Sequence, residues 1–281
     1  MSKVNTKSIG RKVGLDLFIE QMGWTGWFIG ITFIIHLIKV VFATYQGDEV
    51  NVYYLSGHIS SGIYMLVIGI IVGHAFLSFY VENGVTRKDF FIGGLLAATG
   101  LSIAIPTIVL LITSIEIFVV KLLNLSIIFE TSFKADIEDD GKVGIGNVVS
   151  HIINGPGIDL DSNWFLSTFV FMLNLIFYYL LGWMVASSFQ RYGFMVGLGT
   201  IVLSYTMILI RGWLWGDEVR GYIAYILPFD KLDLPLHGFI IGSLVLTALS
   251  GKLIRLFTRR MPFKIGGKHW IGKGISSLRF K

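Results

Sequence analysis

Five polar side chains interrupt the long apolar runs of this 281-residue sequence: His36, Lys39, His74, Glu116 and Asn174. Imidazole, amine and carboxylate groups can move protons, pair as ions or hold a ligand. An ionisable group near the centre of a bilayer costs about 2.5–3.5 kcal/mol on insertion scales, so it faces protein or a cavity. Lys39 and Glu116 can pair across helices, but both lie toward the ends of their runs. Snorkelling of each to the interface is the expected arrangement. His74 is expected to bond a neighbouring helix rather than to carry protons. The residues are too scattered for a proton relay. No H-E-x-x-H, G-x-S-x-G or G-x-x-x-x-G-K-[ST] string is present. The nearest glycine-lysine string, Gly266-Gly267-Lys268-His269-Trp270, lacks both the first glycine and the Ser/Thr of a nucleotide loop. The absence of cysteine removes disulfides, thiolate metal sites and thiol nucleophiles. Neither a catalytic residue nor a metal site is therefore expected, and no cofactor of the chain's own.

The elements that must position these groups are membrane helices. Hydrophobic residues make up 54% of the chain and charged residues 15%, with a mean hydropathy of +0.72. A water-soluble domain of this size could not bury so much apolar surface. A span needs about 20 apolar residues. Six stretches qualify, at Trp24–Tyr45, Ile59–Tyr80, Phe90–Val120, Trp164–Ser187, Gly193–Ile210 and Leu234–Leu253. The third is long and carries Pro106, which predicts a tilt or kink. The first run is too long for a cleavable signal peptide and reads as a retained helix.

Charge orients the bundle. Six spans put both ends on one side, together with the 82–89 and 188–192 connections. That side sums to +12, the other to −7. Short Lys/Arg-rich segments stay in the cytoplasm. Both termini and the 82–90 connection are therefore expected there, in a multi-pass membrane protein.

Residues 10–22 carry Lys12, Asp16 and Glu20 on one helical face and Val13, Leu17 and Phe18 on another. This predicts an amphipathic helix lying in the cytoplasmic interface; extension of the first span into water is the alternative. Gly69-Ile-Ile-Val-Gly73 and Gly193-Phe-Met-Val-Gly197 allow close helix approach, expected within the chain rather than between copies. The 121–163 segment, acidic through Asp136–Asp140, reads as a short outer amphipathic helix, and its charges lack the spacing of a calcium loop. Residues 211–235, with Trp213, Trp215, Tyr222 and Tyr225, read as a brief outer-leaflet helix. The tail sets nine Lys/Arg against no acid from Lys252 onward, and is expected to bind anionic lipid headgroups rather than nucleic acid.

The connection Glu82-Asn83-Gly84-Val85-Thr86-Arg87-Lys88-Asp89-Phe90 is short, charged and glycine-bearing. With its flanks, Phe79 to Phe91, it resembles the cytoplasmic loop of permeases of the type-2 ATP-binding-cassette exporter class, which show a Gly-x-[Ser/Thr]-Arg-x-x-[Phe/Leu] pattern there. Gly84, Thr86, Arg87 and Phe90 stand at the matching positions. The layout of six spans behind an amphipathic helix, with short outer helices before the last span, is also similar to that family, most of all to permeases of Gram-positive bacteria, which implies a bacterial plasma membrane. The enlarged 121–163 loop departs from its smallest members. The resemblance implies that 82–90 is a coupling helix docking on a cytoplasmic ATPase. ATP and Mg would bind on that partner, and a second permease, identical or related, would complete the pore. Thr86 would cap the element, Arg87 and Lys88 would meet acids of the ATPase, and Phe90 and Phe91 would fix it to the third span.

The expected architecture is thus all-α and polytopic. One permease domain occupies 1–281: an interfacial helix over 1–22, six spans over 24–253, and a basic tail over 254–281. The expected function is the translocation path of an ATP-driven exporter for an amphiphile such as a peptide, antibiotic or lipid-like molecule. Two competitors remain: an ATP-independent transporter or channel, and a membrane-anchored immunity or scaffold protein that carries nothing.

Overall fold

The computed structural model of the chain describes residues 6–47, 49–123, 127, 129–130, 163–215 and 236–259. Its architecture is all-α and polytopic. Six helices are long and apolar enough to cross a membrane. They are α1 (Thr6–Gln46), α2 (Tyr53–Glu82), α3 (Arg87–Leu122), α4 (Trp164–Tyr192), α5 (Phe194–Leu214) and α6 (Leu236–Thr258). The turns between α2 and α3 and between α4 and α5 lie at one end of the bundle, here called the turn end. The opposite end is the far end. There a two-residue parallel pair joins Val50–Asn51 to Phe129–Glu130.

The 10–22 segment is not a separate interfacial helix, which corrects the expectation. It runs into the first span as one helix of 41 residues. At about 1.5 Å per residue, that length exceeds a bilayer crossing. Part of its apolar face packs on α3: Val13 and Leu17 are buried, with Val13 against Gly93. Gly10 and Gly14 lie against the backbone of Asp89 and Gly93. The far half of α1 leaves Trp27, Val41, Phe42 and Tyr45 more than 60% exposed. Apolar exposure on that scale belongs against lipid or a partner helix.

α4 is the centre of the bundle and packs against α2, α3, α5 and α6. Its sequence is apolar nearly all round, as a fully enclosed helix requires. Phe171, Phe177, Tyr178, Tyr179 and Trp183 are all buried on it. α2 crosses it at a glycine pair. A Cβ on Gly69 would collide with the Tyr179 carbonyl, and one on Gly182 with the Leu66 carbonyl. Gly73 lies on Trp183 and Ala186, and Gly197 on Phe189. The 69–73 motif is therefore used inside the chain, as is Gly197 of the second, while Gly193 forms the turn before α5 with φ +82°. α2 holds a π-helical stretch over Val72–Phe76, just past this crossing. α3 continues through Pro106, which is buried.

α5 and α6 reach further than the apolar runs alone marked. Arg211, expected in an outer loop, lies in the last turn of α5 and is buried. The outer helices expected within 121–163 and 211–235 fall outside the described residues, apart from the pieces named above. So does the basic tail beyond Arg259.

Candidate functional site: the 82–90 turn and the buried polar clusters

The 82–90 connection contains no helix of its own. α2 ends at Glu82, and Gly84 follows with φ +86°. The Gly84 N–H donates to Val81 O (3.1 Å) and the Val85 N–H to Tyr80 O (3.0 Å). This is a Schellman stop, which needs a residue that tolerates left-handed φ. Thr86 then starts α3 as its N-cap. Its Oγ1 accepts the Asp89 N–H (3.1 Å) and donates to Asp89 Oδ2 (2.6 Å). Val85 and Phe90 occupy the positions of a hydrophobic staple. One helix stop is thus joined directly to one helix start. The coupling helix that the resemblance implies is here a tight turn whose Arg87–Phe90 portion is the first turn of α3. The Gly84 and Thr86 of the pattern have a complete explanation in capping.

The turn is welded to the core. Phe90 is fully buried, with its ring 5.8 Å from that of Trp183 and 5.7 Å from that of Tyr80. The Phe91 ring lies 5.7 Å from that of Trp183, with the Arg255 guanidinium 5.4 Å from the Phe91 ring centre. Arg87 Nη1 donates to Arg259 O (3.2 Å). Arg191 donates to Leu256 O and to Phe257 O (2.9 Å). Two guanidiniums thus meet the carbonyl end of α6, where its dipole is negative. Arg87 is therefore engaged within the chain. Glu82, Asn83, Gly84, Thr86 and Lys88 are exposed, and Asp89 is buried.

At the far end, Glu116 and His36 meet. His36 Nε2 lies 2.5 Å from Glu116 Oε1, and both side chains are buried. Glu116 Oε2 accepts the Tyr53 N–H at 3.0 Å. Val52, the residue before α2, supplies no side-chain cap. The Glu116 carboxylate takes that place, where an unpaired N–H and the positive dipole end favour an anion. Snorkelling of Glu116 is corrected accordingly. Lys39 does not pair with it and is exposed. Tyr53 Oη further bonds Thr32 Oγ1 (3.0 Å), so α1, α2 and α3 are joined here.

His74 is exposed and sits in the π-helical stretch. Gln190 Nε2 of α4 donates to its carbonyl at 2.5 Å and lies 3.3 Å from its Nδ1. Asn174 is buried, and its Nδ2 lies 2.9 Å from His58 Nε2. An amide N–H can only donate, so His58 carries its ring proton on Nδ1. Arg211, from the last turn of α5, faces α4 and α6. Its guanidinium stacks over Phe177 at 4.7 Å. Arg211 Nε donates to Ser243 Oγ (3.4 Å), as does Trp215 Nε1 (2.9 Å). A third polar group, nearer the turn end, joins Gln21, Thr25, Tyr64 and Tyr179: Tyr179 Oη donates to Gln21 Oε1 at 3.2 Å, and Thr25 Oγ1 lies 2.9 Å from Tyr64 Oη.

His58, Arg211 and Gln21 were not singled out from the sequence. Each lies near a helix end or in a mixed segment, where a polar residue ordinarily faces water. A signal was present in Arg211, which directly follows the apolar run Met207-Ile208-Leu209-Ile210 and precedes Trp213 and Trp215. Among the described residues, no group of three His, Asp or Glu side chains gathers to hold a metal. No family model matches the chain, and neither a curated protein nor a solved structure matches it significantly.

Proposed function

We propose that the chain is the permease subunit of an ATP-driven exporter, with the turn end in the cytoplasm and the 82–90 turn as the contact for a separate ATPase. The observation that carries this reading is the construction of the turn. Two helix caps and the buried Phe90–Trp183 contact fix it to the central helix, while Glu82, Asn83 and Lys88 stay exposed. A push on such an element reaches α4 without loss in a flexible loop. The basic side of the bundle carries it, as the positive-inside rule requires of a cytoplasmic element. A second permease would cover exposed apolar helix faces such as that of α1. The amphiphilic cargo would move along the helix faces so enclosed.

The test is co-purification of the chain with a P-loop ATPase from its own cells. Arg87 holds Arg259, so Lys88→Glu is the clean probe. It should leave the melting temperature of the chain unchanged and abolish ATPase association. A complex that survives this substitution, with its transport intact, overturns the reading.

The interior polar groups favour a second reading, an ATP-independent transporter. The buried His36–Glu116 pair, His58 and Arg211 put ionisable groups inside the bundle, as such proteins require. Cargo movement by the chain alone in proteoliposomes, without ATPase, would select this second reading.

A further inference from the structure

We propose that Arg211 is the cation of a receptor for the oxyanion headgroup of an amphiphile, a carboxylate or phosphate ester, in the far half of the bundle. This deepens the exporter reading by naming the chemistry of its cargo, and rests on that reading only for the word cargo.

Arg211 is 1% exposed. Its Nε reaches Ser243 and one face of the guanidinium lies over Phe177. Nη1 and Nη2 have no hydrogen-bond partner among the described residues. A buried charge persists only where something compensates it. The aromatic face supplies part of that compensation. No carboxylate pairs with Arg211 among the described residues. The groups placed around it are neutral: the Ser243 hydroxyl, which also accepts the Trp215 indole N–H, and the Phe177 ring. The two terminal nitrogens of a guanidinium form a fork that matches a carboxylate or phosphate.

The position favours an amphiphile over a free ion. Arg211 is in the last turn of α5, His58 lies about one and a half turns into α2, and Ser243 about two turns into α6. Ile210 beside Arg211, and Ile241 and Leu244 beside Ser243, are exposed apolar residues. An acyl chain can lie along them in the lipid while its headgroup meets the guanidinium.

The experiment uses the chain alone in nanodiscs of neutral phosphatidylcholine, so its result is independent of any ATPase. Dodecyl phosphate is titrated against dodecanol and against inorganic phosphate, with melting temperature and tryptophan fluorescence as readouts. Dodecyl phosphate should raise the melting temperature and change the fluorescence, and dodecanol should do neither. Arg211→Gln should weaken binding about tenfold or more, the loss expected for a charge-assisted hydrogen bond. If that variant does not fold, Arg211→Lys keeps the charge but loses the fork and should also bind more weakly. Equal binding by wild type and either variant overturns the proposal, as does equal binding of dodecanol. Inorganic phosphate binding as tightly as dodecyl phosphate overturns the amphiphile. If Asp217→Asn with Glu218→Gln destabilises the wild type but not Arg211→Gln, the counter-ion is the chain's own, and the proposal falls.

Discussion

His36 Nε2 lies 2.5 Å from Glu116 Oε1, and the other oxygen of the same carboxylate accepts the first amide of α2. One side chain thus serves as ion partner to α1 and as cap to α2. Glu116→Ala removes both roles and should destabilise the protein by about 3–5 kcal/mol, the cost of breaking a buried pair. Glu116→Gln keeps an acceptor and should cost clearly less. Reversible unfolding in mixed micelles measures both. Equal losses would show that the cap contributes nothing.

Gly69→Ala and Gly182→Ala each place a methyl group against a carbonyl of the facing helix. Overpacking ordinarily costs about 1–3 kcal/mol, and these contacts with rigid backbone should reach the top of that range or pass it. Gly26→Ala is the control, since nothing lies within 4 Å of its added Cβ. It should be neutral or slightly stabilising, because alanine favours a helix over glycine. Melting temperatures of the three variants, side by side, decide the matter.

Thr86→Ala deletes the cap of α3 and should cost about 1 kcal/mol. Thr86→Ser should restore most of it. If coupling to an ATPase depends on a rigid turn, the alanine variant should also lower transport more than it lowers the amount of folded protein. Transport that tracks protein abundance alone would mean that the cap is purely structural.

Phe90→Ala opens a cavity against Trp183 and should cost about 3–5 kcal/mol. Phe90→Leu should cost less and provides a folded variant for transport. In the exporter reading that variant keeps ATPase binding, since Glu82 and Lys88 are untouched, yet transports poorly per ATP hydrolysed. Unchanged transport per ATP would remove Phe90 from the lever.

Apolar runs, charge asymmetry and capping residues are local properties, and they sufficed for the six helices and for the ends of the 82–90 turn. Gly84 and Thr86 act on backbone groups within four residues of themselves, so their effect is readable without a fold. The same locality misled at 10–22, where an amphipathic face matches a headgroup zone and a neighbouring helix equally well. Only the groove of α3, opened by Gly93, selects the second. The partners of polar residues are decided the same way. His36 and Lys39 are one helical turn apart on α1, and either could reach a carboxylate on α3. The rotation of α1 about its own axis, set by the packing of Val13 and Leu17, turns His36 to Glu116 and leaves Lys39 outside. Arg211 becomes an interior cation for a like reason: hydropathy marks where an apolar run stops, while α4 and α6 determine which face of that last turn is enclosed. Composition determines that this chain lies in a membrane, and helix packing determines which of its charges face inward.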